Sequence, residues 1–165
     1  MPVKFEDFSF DVKAELDDTT IAWLYTWSNE IAAQAQRNCR MDDDSGKQLK
    51  GSYAAKVNEG KGQAKIGSPL EAAYWEEWGT GEHAAHGDGR KGWWVYVKGQ
   101  ASQGGGKVYT QKEAEDIAKS MQAQGIDAYA TDGREPNYTL EKAFGKVKNK
   151  AIADLNEKLK GRLGE

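Results

Sequence analysis

Along Phe5–Ala14 the apolar side chains fall at 8, 10, 12 and 14, the two-residue alternation of a half-buried strand. The period then changes. Asp17, Asp18 and Thr19 offer N-caps for a helix of about 20 residues, spanning about 19–39, with Ile21, Leu24, Ser28, Ile31 and Ala35 on one face. Trp27 borders that stripe and is expected to lean over the core. Trp23 lies about 100° round the helix from Leu24 and is expected to sit against a partner. Met41–Gly51 is polar and reads as a loop. Tyr53–Val57 and Gln63–Ile66 read as two short strands joined by a turn at Glu59–Gly62, and Ser68-Pro69 opens a two-turn helix over Leu70–Trp78 that Gly79 stops.

Between Gly81 and Gly106 there are eight glycines, at 81, 87, 89, 92, 99, 104, 105 and 106, interrupted by the strand-like Trp93–Val97. This stretch reads as a long, mobile connection, with Trp93 and Val95 on one face of the strand and Trp94 and Tyr96 on the other. One indole is expected to seal the core and the other to dock on a neighbour. Lys107–Gly133 then reads as strand, helix, strand. Thr110 and Glu113 form a capping box, Ala114, Ile117, Ala118 and Met121 an apolar face, and Gly125 a stop. One helix joining two strands predicts that the strands run parallel. Thr139 caps a last helix, 139–160, with Leu140, Phe144, Val147, Ala151, Leu155 and Leu159 on one side. The pattern predicts an α+β fold: a mainly antiparallel sheet packed by an N-terminal and a long C-terminal helix, with a strand–helix–strand insertion. Residues 1–165 are expected to form one domain, the insertion lying at about 100–131 and folding on its own local contacts.

Composition narrows the class. With 165 residues and 38% hydrophobic side chains a core can form, and no apolar run approaches the roughly 20 residues of a membrane span. The N-terminus lacks the pattern of a signal peptide. The single cysteine, Cys39, cannot close a disulfide within the chain, so a reducing compartment and a buried or semi-buried thiol are expected. A net charge of −3 argues against a dedicated nucleic-acid binder. Residues 1–82 carry 9 basic and 15 acidic side chains, net −6, and residues 83–165 carry 14 and 11, net +3. Opposite charges at two ends suit head-to-tail contact between copies.

No catalytic set emerges. Glu76 and Glu77 are neighbours on a helix and point about 100° apart, so they cannot face each other across a bond as glycosidase carboxylates do. His83, His86 and Asp88 are spaced for a metal only if the loop turned helical, which Gly87 and Gly89 oppose. Gly79-Thr-Gly81 and Gly87-Asp-Gly89 stand after a helix, where a phosphate loop must precede one. Arg90-Lys-Gly-Trp-Trp94 mixes basic and aromatic residues as single-strand binders do, but as one short cluster. No metal and no cofactor is expected. The alternative enzyme reading is a hydrolase or nuclease of a mobile element that uses Glu76 with His83 or His86.

Three segments in order carry a resemblance. Asp44-Ser-Gly-Lys-Gln-Leu-Lys-Gly-Ser52 is similar to a "D-T-G-x-L-x-x-S" segment. Ile66-Gly-Ser-Pro-Leu-Glu-Ala-Ala-Tyr-Trp-Glu-Glu-Trp-Gly-Thr-Gly81 is similar to "G-S-x-x-x-Y-A-x-Y-x-E-x-G-T-G". Gly89–Val97, followed by Gly133-Arg-Glu-Pro136 and Ala143-Phe144, resembles "G-x-W-x-Y…G-x-x-P…x-x-A-F". Together they resemble the tail-completion and neck proteins of long-tailed bacteriophages, which join the finished tail to the DNA-filled head. The chain departs from that pattern at Ser45, where Thr is usual, at Ala73, near a common proline, and at Asn137-Tyr138. Residues about 100–131 have no counterpart in shorter members.

The resemblance implies a structural virion protein and not an enzyme, assembled in the host cytoplasm and placed in the neck or tail. Its partners would be itself, as a ring (hexameric by the resemblance), a tail tube or tail terminator protein, and a head-closure or adaptor protein. No membrane is implied, and no nucleic acid beyond DNA passing through the ring. The residues it marks are Gly46, Leu49, Ser52, Tyr74, Glu76, Gly79, Thr80, Gly81, Trp93, Trp94, Tyr96, Pro136 and Phe144, with Trp23 as interface candidate. Gly46 and Gly79 are expected at positive φ, and Thr80 in a hydrogen bond within its turn.

Overall fold

The computed structural model describes residues 18–40, 44–99 and 106–163, so the strand expected at Phe5–Ala14 lies outside the described residues. The fold is α+β, in the order α1 (Asp18–Asn38), α2 (Asp44–Ser52), β1 (Ala54–Asn58), a 3-10 turn (Glu59–Lys61), β2 (Gln63–Gly67), α3 (Glu71–Trp78), β3 (Thr80–Gly81), β4 (Trp94–Val97), α4 (Gln111–Ala123), β5 (Ala128–Thr131), β6 (Gly133–Arg134) and α5 (Thr139–Leu163). Among the described residues no helix is long and apolar enough to cross a membrane. The chain divides into two compact units, residues 1–77 with 138–165, and residues 78–137.

In the first unit α1 packs against α5 and against both strands of the β1–β2 hairpin. The hairpin is antiparallel, Ala54 opposite Gly67 and Asn58 opposite Gln63. Asn58 closes its turn by accepting from the Lys61 amide, and Gly62 at φ 60° ends it. The core joins Leu24, Ile31, Ala32 and Ala35 of α1 with Leu49, Tyr53, Ala64 and Ile66, and with Ala143, Val147 and Ala151 of α5; the Cys39 thiol is buried among them. Because α1 is covered by two partners, its buried arc is wider than one stripe. This overturns the expectation for Trp23: the indole is 3% exposed and its Nε1 donates to the Ala151 carbonyl at 2.9 Å. Trp27 does lean over the core, its Nε1 donating to Asp154 Oδ2 at 2.7 Å. The polar segment read as a loop is instead helical as α2, because Leu49 anchors one turn of it in the core at 0% exposure.

The second unit is inserted between Glu77 and Tyr138, where the Tyr138 amide donates to the Glu77 carbonyl at 3.2 Å. Its ladders are antiparallel: Trp94 opposite Thr131 through Val97 opposite Ala128, and Thr80 opposite Arg134. Trp93 also bridges Tyr109 antiparallel. The strands that flank α4 therefore run in the same direction, as one crossover helix requires, but β4 lies between them. The capping box at Thr110 and Glu113 is formed, and Gly125 adopts φ 80°. Because β5 takes its ladder from β4 and β6 takes its own from β3, residues 100–131 share one compact unit, 78–137, with the segments on either side. Replacing 100–131 by a short Gly/Ser linker is expected to strip β4 of both flanking segments and unfold residues 93–97, with α1 and α5 intact. Amide exchange resolved by residue checks it; unchanged protection at 94–97 would contradict it.

Candidate functional site

The residues singled out by the sequence fall into two groups, one in each unit. In the first, the Ser52 hydroxyl donates to the Leu49 carbonyl at 2.6 Å and meets the Ser68 hydroxyl at 2.6 Å, while Ser68 Oγ accepts from the Leu70 amide at 3.0 Å. Ser52 therefore ties the end of α2 to the entry of α3. Gly46, expected at positive φ, lies inside α2, where φ is negative. Tyr74 meets Trp75 edge-on with centroids 5.3 Å apart. Phe144 packs against the core.

The adjacent carboxylates of α3 do different work. Glu76 is 1% exposed; its Oε1 accepts from the Arg40 amide at 2.9 Å and lies 4.0 Å from the Arg40 Nε. Glu77 reaches the start of α5, where its two oxygens accept from the Leu140 amide at 2.7 Å and the Glu141 amide at 3.1 Å. It caps a helix 63 residues away in sequence, placing negative charge at the positive end of the helix dipole. No spacing rule could have nominated that pair. Burial pushes the Glu77 pKa up, outweighing the backbone hydrogen bonds from Leu140, Glu141 and Thr139 that pull it down. A raised carboxyl contributes stability fully below its ordinary value near 4.5 and loses it as pH climbs through the raised value. The stability of the parent relative to Glu77→Gln should therefore fall as pH rises from about 4.5. Urea titrations between pH 4 and 8 check this; a gap that widens in favour of the parent would contradict it.

In the second unit three glycines let backbones cross. A Cβ on Gly79 (φ 74°) would stand 2.5 Å from the Arg134 carbonyl and 2.8 Å from the Pro136 nitrogen. One on Gly81 (φ 63°) would overlap the Asp132 carbonyl and come 2.6 Å from the Trp94 ring, and one on Gly133 would overlap the Thr80 carbonyl. The "G-T-G" and "G-x-x-P" segments therefore meet, side by side, as β3 and β6. The backbone carbonyl of Thr80 accepts from the His83 amide at 3.3 Å.

The segment after β3 is a run of tight turns over residues 81–87. The Ala84 amide donates to the Gly81 carbonyl, Ala85 to Trp78, and Gly87 to Ala84. His83 stands between Asp132 (Nε2 to Oδ1, 3.4 Å) and Glu135 (Nδ1 to Oε1, 3.0 Å), and His86 packs on Trp78 with centroids 4.6 Å apart. The glycines here serve turns, and their side-chain neighbours fasten them. Among the described residues no group of three His, Cys, Asp or Glu could hold a metal.

One surface of this unit stands open. On the β4–β5 ribbon Ala128 is fully buried, and α4, whose Ala114 and Ala118 are buried, packs on both strands. By alternation Trp93, Val95 and Val97 share that covered face. The opposite face carries Trp94, half-buried, and the cross-strand pair Tyr96 and Tyr129, 38% and 48% exposed. The Arg90 guanidinium lies 4.9 Å above the Trp94 ring and donates to the Gly106 and Lys107 carbonyls, the latter at 2.6 Å. The basic–aromatic cluster is thus partly a clasp on the chain at 106–107. Trp93 and Trp94 are both half-buried, Trp94 lying against Gly81 and beneath Arg90; what the sequence reading missed is Tyr129. Its signal was there in Asp127, Tyr129 and Thr131 standing opposite Ala128 and Ala130.

The chain matches no protein-family model, no curated protein and no solved structure.

Proposed function

We propose that this chain is a structural protein of a bacteriophage neck or tail end, forming a ring that completes the tail and joins it to the head. The observation that carries the reading is the ordered resemblance of three segments, 44–52, 66–81 and 89–97 with 133–144, to the tail-completion proteins. The places these residues occupy favour it over coincidence. Ser52 with Ser68, Gly79 with Arg134 and Pro136, and Gly81 with Asp132 and Gly133 are joints of the fold, the sort of position where residue identity is dictated by close approach. The open aromatic face of β4–β5 suits a subunit contact, since Tyr and Trp are enriched in the centres of interfaces.

The hydrolase reading loses support at its central residue. A general acid or base must reach the proton that it moves, whereas Glu76 is 1% exposed and its Oε1 is held by the Arg40 amide. Histidines 83 and 86 are engaged with Asp132, Glu135 and Trp78. The chain alone should be monomeric or weakly associated, and should give ring-sized species with the products of neighbouring genes. Native mass spectrometry of the mixture tests this: a stable dimer insensitive to dilution, or no complex with any neighbour, would contradict it.

A further inference from the structure

The open face of β4–β5 has the dimensions and charge of a receptor for one segment of this chain. Along β4 the residues on that face are Trp94, Tyr96 and Lys98, about 13 Å from first to last at roughly 3.3 Å per residue, with Tyr129 beside Tyr96. A cation stands toward each end, Arg90 over Trp94 and Lys98 beyond Tyr96. Asp127, opposite Lys98, is engaged by the Tyr129 hydroxyl, whose pKa it raises. Two exposed tyrosines paired across an antiparallel ladder form a continuous apolar platform, and the covered face behind them fixes their backbone.

Seventeen residues precede α1. Within them Phe8, Phe10 and Val12 repeat with the strand period over the same roughly 13 Å, and Glu6 falls on the same side, two residues before Phe8. Residues 1–17 hold five acidic side chains (Glu6, Asp7, Asp11, Glu15 and Asp17) against Lys4 and Lys13. Glu6 is the carboxylate on the side of Phe8 and Phe10, the other four alternating to the opposite side, so the aromatic edge matches the platform in spacing and Glu6 matches the cation at one of its ends in sign.

We infer that residues 5–14 of one copy dock in extended form on the Trp94–Tyr96–Tyr129 face of a neighbouring copy, as the head-to-tail contact between subunits. The inference rests on the reading of the chain as a ring component and names the contact that would build the ring. An arm from one subunit and a platform on the next are different surfaces, which is the heterologous arrangement that a closed ring requires.

The test is a photocrosslinker, p-benzoylphenylalanine, placed at Phe10 in the full chain. Equal amounts of 14N- and 15N-labelled protein are mixed, irradiated while concentrated, and mapped by mass spectrometry. The expected result is mixed-isotope crosslinks to residues 94–98 and 127–131, falling at least tenfold in the Tyr96→Ser/Tyr129→Ser variant. That variant keeps both strands, and far- and near-ultraviolet circular dichroism establishes that it is folded. Crosslinks of a single isotope only, crosslinks that map elsewhere, or a yield unmoved by the double substitution would each overturn the inference. The two readings fail separately. Ring-sized species without these crosslinks leave the neck reading standing and remove the arm contact. Mixed-isotope crosslinks from a chain that never enters particles leave the self-contact standing and remove the neck reading.

Discussion

Gly81→Ala is expected to destabilise the 78–137 unit while leaving the α1–α5 core unaffected. At φ 63° an L-residue gives up about 1–2 kcal/mol against its preferred conformation. The added methyl would also overlap the Asp132 carbonyl and press on the Trp94 ring. Overpacking of that kind costs a further 1–3 kcal/mol, roughly, because the obstacle is backbone and cannot swing aside. A total of about 3 kcal/mol corresponds to roughly a hundredfold loss of exchange protection, read at the amides of residues 94–97 and 128–131. Gly87→Ala is the control: its φ is 69°, yet nothing lies within 4 Å of the added carbon, so only the conformational part remains. Equal effects of the two substitutions, or a Gly81→Ala loss spread evenly over α1 and α5, would contradict the account.

Trp23→Ala is expected to cost the first unit about 3–5 kcal/mol, the usual range for deleting a buried tryptophan. The side chain is almost wholly enclosed between α1 and its neighbours, and its removal also leaves the Ala151 carbonyl without the indole donor. Trp27→Ala should cost less, since that indole is only half-buried and bonds to the surface carboxylate Asp154. Denaturant unfolding followed by far-ultraviolet circular dichroism separates the two. A Trp23→Ala protein of parental stability that fails only in assembly would restore the interface role that the sequence suggests.

These two residues mark where the sequence was and was not legible. Helices α1, α4 and α5, the β1–β2 hairpin and the Thr110 capping box could be read because period and local capping chemistry decide them within a few residues. Trp23 could not, because its burial depends on a second element closing over the flank of α1, and one stripe on one helix says nothing of how many partners it has. Helix α2 was missed for a related reason: a single leucine, Leu49, holds a polar stretch to the core, too little to register as periodicity. The glycines after β3 make turns; His83 and Arg90 there find their partners at 132–135 and 106–107, and His86 packs on Trp78. Of the candidate site, strand alternation put Trp94 and Tyr96 on one face but could not say which face α4 covers. Their companion Tyr129 followed only once the ladder placed it opposite Tyr96. Glu77 as the cap of α5 was beyond reach, since helix-capping signals are read three residues away and this one spans 63.

The central claim, that the chain joins tail to head, is tested most directly by disrupting its gene in the element that encodes it and viewing the products by negative-stain electron microscopy. The account predicts DNA-filled heads and full-length tails lying apart, with joined particles restored when the protein is supplied. Normal joined particles from the disrupted element, or heads and tails that stay apart after the protein is restored, would contradict it.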